Sequence, residues 1–319
     1  MDEFELITRC FAPLGTDARD VVLGIGDDAA VLAVPPGHTL AVAVDTLVNG
    51  VHFPADIAPA DLGYRVAAVN LSDLAAMGAE PRWATLALTL PAAEPAWVET
   101  FAGGLADACA PHGVALVGGD TTRGPLCVTV QLMGLLERAP LTRAGAQAGD
   151  VVLVSGSLGD ARAALDCLDA AVTGRANDDV TALRARYFRP AARVALGRAL
   201  APLAHAAIDV SDGLLADLGH LAQASNVAIT VRLDQLPLSA ALVRHCAREQ
   251  ALEYAASGGD DYELALCVPR SACAAARAAA ARLGVPLTAI GEVTAGRGVR
   301  CLDADGAERR FAAGGYRHF

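Results

Sequence analysis

Aspartates set in otherwise apolar or glycine-rich segments constrain this chain more than any other feature. Gly24-Ile25-Gly26-Asp27-Asp28 puts two adjacent carboxylates just ahead of an apolar run, and Asp45, Asp73, Asp120, Asp209, Asp212 and the pair Asp260-Asp261 recur in similar company. A carboxylate in such surroundings is paired, caps a helix or holds a cation, because an isolated charge out of water is too costly to keep. An Asp-Asp pair also needs its charge solvated or neutralised. Any fold of this sequence must carry several acids to places where their charge is met. A magnesium-loaded phosphoryl-transfer site is the reading that follows.

Composition narrows the alternatives. The chain has 319 residues, 54% hydrophobic and only 4% aromatic, enough for two domains with cores of Ala, Val and Leu. Gly, Asp or Arg interrupts every apolar run before it reaches a membrane-spanning length. The first residues, Met1-Asp2-Glu3-Phe4-Glu5, are acidic, unlike the basic start of a signal peptide. The net charge of -11 disfavours nucleic acid as a partner. It would also repel the phosphates of ATP unless divalent metal neutralised both sides. Eight scattered cysteines, with no C-x-x-C, point to a reducing cytoplasm. Lysine is absent, which removes the P-loop lysine, the protein-kinase strand lysine and any Schiff-base lysine.

Apolar runs and helical spacing alternate along the chain. Residues 23–33 and 39–46 read as strands, with Asp45 at the end of the second. Residues 59–77 read as a helix capped by Asp61, with Leu62, Val66, Val69 and Leu74 at helical spacing. Strands at 83–90, 114–117 and 126–135 and a helix at 95–110 follow. The mixed stretch 137–149 suggests a boundary. Beyond it, strands are expected at 151–154, 206–210, 227–233, 262–268 and 287–293, and helices at 190–200, 214–224, 239–249 and 271–283. This pattern predicts two α/β layer domains, 1–140 and 141–319.

Four glycine-acid turns, each expected at the end of an apolar strand, are where ligands gather in α/β domains. One such turn alone would read as an ordinary surface turn. Asp73 is either a metal-site acid or a solvent-facing residue of an amphipathic helix. Ser155-Gly156-Ser157-Leu158-Gly159 is either a phosphate loop or a plain strand-to-helix turn, and Asp303-Ala304-Asp305-Gly306 reads as a hairpin turn. Arg123 is either a surface arginine or an electrostatic group of the site. Gly118-Gly119-Asp120 and Gly258-Gly259-Asp260 form a faint echo between the two halves.

In order along the chain, Gly24 to Asp28, Val44-Asp45-Thr46, residues 68–79, residues 117–124, residues 208–214 and residues 257–264 together resemble the motifs of bacterial thiamine-monophosphate kinases. The closing Gly315-Tyr316-Arg317-His318-Phe319 is similar too. The resemblance implies an α/β, two-domain, aminoimidazole ribonucleotide synthetase-like fold. In that fold N-terminal halves join sheets in a homodimer and ATP binds between the halves. It implies ATP-dependent phosphorylation of thiamine monophosphate to thiamine diphosphate. By it, Asp28, Asp45, Asp73, Asp120 and Asp209 hold several Mg2+ ions around the triphosphate, and Asp212 holds a further one. Val44 stands where relatives often carry a hydroxyl, so its carbonyl or a water would serve as ligand. Gly119, Asp120, Arg143 and Ser211 would contact ATP; Asp120, Arg143 and Asp209 would form the catalytic set. His52, Asp260 and Tyr316 match positions near thiamine phosphate. The selenophosphate branch of the fold would want a reactive cysteine in a glycine-rich N-terminal segment, and Cys10 has none around it. The hydrogenase-maturation branch would want a C-terminal cysteine, where this sequence has Arg317-His318-Phe319.

Overall fold

The computed structural model describes residues 3–15, 20–168, 177–311 and 315. The chain divides into two compact units, residues 1–74 with 79–139, and residues 75–78 with 140–319.

The first unit opens with a short helix α1 (Glu3–Leu6) that runs on into tighter and wider turns to Gly15. Strands β1 (Val21–Leu23) and β2 (Val31–Leu32) pair antiparallel, Leu23 opposite Val31. The single strand expected over residues 23–33 is therefore two short strands. Gly26, at φ 120°, and two adjacent carboxylates break the run between them. The main sheet has the order β3-β6-β4-β5, built from β3 (Thr39–Val48), β4 (Glu80–Leu90), β5 (Ala115–Arg123) and β6 (Cys127–Leu136). Helices α2 (Pro59–Ala76) and α3 (Pro95–Cys109) complete the unit. The expected turn at Gly118-Gly119-Asp120 lies inside β5, because β4 pairs with it as far as Arg123. Asp45 likewise lies within β3 and not at its end. Asp28, between β1 and β2, does lie in a turn as expected.

The second unit is built on a seven-stranded sheet. Its strands are β7 (Val151–Ser155), β8 (Ala206–Asp209), β9 (Ala228–Arg232), β10 (Leu264–Val268), β11 (Leu287–Thr294), β12 (Gly298–Leu302) and β13 (Glu308–Arg309). They run in the order β13-β12-β9-β11-β7-β10-β8. All neighbours are antiparallel except β12 and β9. Its helices are α4 (Asp160–Leu165), α5 (Asp178–Phe188), α6 (Val194–Leu200), α7 (Leu214–Ser225), α8 (Ala240–His245), α9 (Arg248–Ser257) and α10 (Cys273–Arg282). Leu214, Leu218 and Leu221 of α7 and Leu252 and Ala255 of α9 bury against Val152, Ile208 and Ile290 of the sheet.

Two helix expectations shift here. The helix expected from Pro190 starts only at Val194, and Arg193 just before it is held by the buried carboxylate of Glu263. The helix expected over 239–249 stops at His245, where Cys246 turns extended (φ -134°, ψ 164°), and a new one runs from Arg248 to Ser257. Ser239 caps the first of them, accepting from Leu242 N–H at 3.0 Å. Strands β12 and β13 were not anticipated, but Asp303 to Ala307 does close the hairpin between them.

Candidate active site

In the first unit the acids come from four elements. Asp28 is exposed between β1 and β2, its N–H donating to Asp27 Oδ1 at 2.8 Å. Val21, Ala30 and Leu32, which flank that turn, pack on Trp83, Val117 and Met133. The acidic turn is thereby fixed to the sheet that carries Asp45 and Asp120. Those two are not brought together within one copy: β3 and β5 are the opposite edges of the sheet, with β6 and β4 between them. Val44, beside Asp45, is exposed on the edge strand.

Gly119 has a packing reason of its own. A Cβ there would lie 1.9 Å from the carbonyl oxygen of Leu86 in β4, whereas one on Gly118 would meet only a Thr85 methyl at 3.9 Å. The backbone is bare at Gly119 because the neighbouring strand passes that close.

Asp73 sits on α2, which is buried on nearly every side, so the amphipathic-helix alternative does not hold. Asp73 itself is half-buried. One turn before it, Asn70 is fully buried; its amide donates to Val66 O at 3.0 Å, while its Oδ1 has no hydrogen-bond partner among the described residues. His52 Nδ1 accepts from Val48 N–H at 3.0 Å, which leaves the ring proton on Nε2.

In the second unit the motifs converge. Asp209 ends β8, is 4% exposed, and pairs with Leu264 of β10. That pairing lays Ser211-Asp212-Gly213 beside Gly258-Gly259-Asp260. Asp260 N–H donates to Ser211 O and Tyr262 N–H to Val210 O, both at 2.8 Å. A Cβ on Gly259 would lie 2.6 Å from Ser211 O. Asp260 and Tyr262 have φ of 68° and 50°. Such left-handed residues cost about 1–2 kcal/mol each and persist at sites where the surroundings over-determine them. The Tyr262 hydroxyl donates to Asp260 Oδ1 at 3.2 Å.

Asp217, in the first turn of α7, was not singled out by sequence. One of its oxygens, Oδ2, accepts from the N–H groups of Ser211, Asp212 and Gly213, each at 3.1 Å. Burial, then the charges of Asp209 and Asp212, push its carboxyl up to about 8. An acid in the first turn of a helix after a Ser-Asp-Gly turn is the signal that could have found it. Arg143 is exposed, and its carbonyl accepts from the Ser225 hydroxyl at 2.8 Å. Tyr316 lies outside the described residues.

The Ser155–Gly159 loop is no open phosphate cradle. Gly159 N–H donates to both oxygens of Asp261 (3.0 and 2.9 Å), and a Cβ on Gly156 would lie 2.0 Å from Glu263 Oε1. The fully buried Glu263 also takes Ser155 Oγ at 2.5 Å, Arg186 Nη2 at 2.7 Å and two donors of Arg193 at 2.6 Å. The loop holds the protein's own carboxylates, as the plain-turn reading has it.

No three His, Cys, Asp or Glu side chains among the described residues are gathered closely enough to hold a metal by themselves. Magnesium does not need that: it keeps several waters and binds one or two carboxylates plus substrate phosphates. The crowding of Asp209, Asp212 and Asp217 supplies hard oxygen donors whose mutual repulsion a cation would relieve. The donor set fits magnesium.

Residues 26–136 match the N-terminal domain, and residues 147–303 the C-terminal domain, of the AIR synthase related protein family. The thiamine-monophosphate kinase of Escherichia coli (strain K12) is 48% identical over 318 residues, 99% of this chain and 98% of the relative. The crystal structure of thiamine-monophosphate kinase from Stenotrophomonas maltophilia K279a has a TM-score of 0.89 at 46% identity, covering 97% of this chain and 98% of that one. AaThiL complexed with AMPPCP and TMP has a TM-score of 0.80 at 35% identity, over 90% of this chain and 89% of that one. With likeness of this degree along nearly its whole length, the chain belongs to the thiamine-monophosphate kinase family of AIR synthase related proteins.

Proposed function

We propose that this chain phosphorylates thiamine monophosphate to thiamine diphosphate, by direct in-line transfer of the γ-phosphate of ATP assisted by magnesium. The observation that carries the reading is the 48% identity to a thiamine-monophosphate kinase over 99% of the chain. A phosphate monoester is already largely ionised near neutral pH, its second pKa being about 6, so the acceptor needs no general base. The difficulty is bringing two anions together in line. Magnesium supplies charge neutralisation there.

Asp28, Asp45, Asp73, Asp120, Asp209 and Asp212, with the carbonyl of Val44, are the proposed magnesium ligands. Gly119 and Ser211 contact the nucleotide and Arg143 its phosphates, which makes Asp120, Arg143 and Asp209 the catalytic set. His52, whose Nε2 carries the ring proton, binds the acceptor together with Asp260 and Tyr316. Asp260 is already oriented by the Tyr262 hydroxyl.

A homodimer and a cytoplasmic location belong to the same reading. Leu40, Val42 and Val44 are 40%, 53% and 60% exposed on the edge strand β3, an open apolar edge of the kind that proteins cover. Asp45 and Asp120 stand three strand spacings apart, about 14 Å, too far to share one ion within a copy. A second copy whose β5 edge met the β3 edge of the first would supply the missing acid. Val44→Asp should then yield a monomer by light scattering and lose activity; a fully active monomer would refute the dimer. The eight cysteines are unpaired, as a reducing compartment requires. No described helix is long and apolar enough to cross a membrane.

The test is to incubate the purified protein with ATP, magnesium and thiamine monophosphate and to follow thiamine diphosphate by chromatography. Product from the monophosphate, none from free thiamine, and loss with EDTA are expected. ATP bound without any product would overturn the assignment.

A further inference from the structure

We propose that Asp217 is a positioning residue for both ligand-holding turns of the second unit, an inference that rests on the function proposed above. Its Oδ2 gathers three consecutive N–H groups, those of Ser211, Asp212 and Gly213, at 3.1 Å each. On the carbonyl side the same turn is fastened by Asp260 N–H to Ser211 O at 2.8 Å. The turn that carries Asp212 is thus clamped from both sides, by Asp217 beneath it and by the substrate-side turn next to it. Asp217 is itself 3% exposed, on a helix whose Leu214, Leu218 and Leu221 are locked in the core, so it has little room to move.

The three N–H groups need only an acceptor oxygen, which an amide also offers. Asp217→Asn keeps that acceptor, while Asp217→Ala loses it. With the clamp gone, Ser211 and Asp212 lose their fixed direction, and Asp260 loses the fixed carbonyl that holds its own N–H. One change should therefore weaken cation binding and thiamine monophosphate binding together.

Mn2+ binding in the presence of a non-hydrolysable ATP analogue, read from the free Mn2+ signal in electron paramagnetic resonance, tests this independently of turnover. Groups that orient metal ligands are worth about 10–100-fold in metal affinity, so Asp217→Ala should weaken Mn2+ binding by about tenfold or more and Asp217→Asn by less. KM for thiamine monophosphate should rise in the same order. Variants that melt earlier yet keep wild-type Mn2+ affinity and KM at 25 °C would refute the proposal. If Asp217→Ala fails to fold, Asp217→Ser, whose shorter side chain falls short of the three N–H groups, takes its place, and an unchanged Mn2+ affinity there does so. A wild type that makes no thiamine diphosphate would instead sink the functional reading, so the two failures can be told apart.

Discussion

Gly118-Gly119-Asp120 and Gly258-Gly259-Asp260 are the same three residues in two different structures. The first lies inside β5, in register with β4, and presents its aspartate from an edge strand. The second is an irregular turn that presents its aspartate from a backbone at φ 68°. Both need a glycine in the middle for close backbone approach, to Leu86 O in one and Ser211 O in the other. The comparison teaches that a bare Gly-Gly-Asp backbone need not be bare for phosphate. In each case a neighbouring carbonyl accounts for the missing side chain of the middle glycine.

The largest expected effect separates the two aspartates. Asp120→Asn should cut kcat by on the order of 10²-fold or more with the fold intact by circular dichroism, because it removes charge from the transferring phosphate's surroundings. Asp260→Asn should act mainly on KM for thiamine monophosphate. Wild-type-like kcat for Asp120→Asn at saturating magnesium would break that division. Next come the glycines. Gly119→Ala should cost about 1–3 kcal/mol in urea unfolding, since its Cβ meets a strand carbonyl that is itself in the ladder. Gly259→Ala should cost less, its closest contact being 2.6 Å against 1.9 Å. The reverse order would show that the turn, not the strand, is the tighter structure.

Smaller still is the strain at Asp260. Asp260→Gly should stabilise the protein by about 0.5–1 kcal/mol while raising KM, because glycine adopts positive φ without steric cost. A loss of stability would mean that the carboxylate, not the backbone, dominates there. A separate, pH-dependent effect concerns Asp261, which is 2% exposed and whose carboxyl burial pushes well above the ordinary carboxylate range. The folded state then keeps a proton that the unfolded chain releases above about pH 4. Its contribution to stability is whole below that pH and is lost as pH rises toward the folded value. Asp261→Asn cannot ionise, so its melting temperature should fall less than the wild type's between pH 5 and pH 8. Equal falls would show that Asp261 does not titrate differently on unfolding.

Much of the fold could be read locally. The α2 helix runs as its spacing and Gly78 indicate, and Asp303 to Ala307 makes its hairpin. What failed locally failed for tertiary reasons. Arg193 stays out of the α6 helix while its guanidinium is bound to Glu263, a partner seventy positions away. Asp217 could not be recognised as a clamp without knowing that its carboxylate turns back under Ser211, Asp212 and Gly213. Sequence left the Ser155–Gly159 loop between a phosphate loop and a plain turn, and the choice fell to Asp261 and Glu263, which reach it from the segment just before β10.

By itself the sequence determined which acids exist, that they recur in apolar and glycine-rich settings, and which family their order resembles. Those are properties of short segments, where residue type and spacing set the local preference. Only the tertiary structure decided that Asp45 and Asp120 stand on opposite edges of one sheet, and that the Ser211 and Asp260 turns are bonded to each other. Strand order and backbone pairing between remote segments are set by how whole faces bury together, and no local pattern encodes that partner choice.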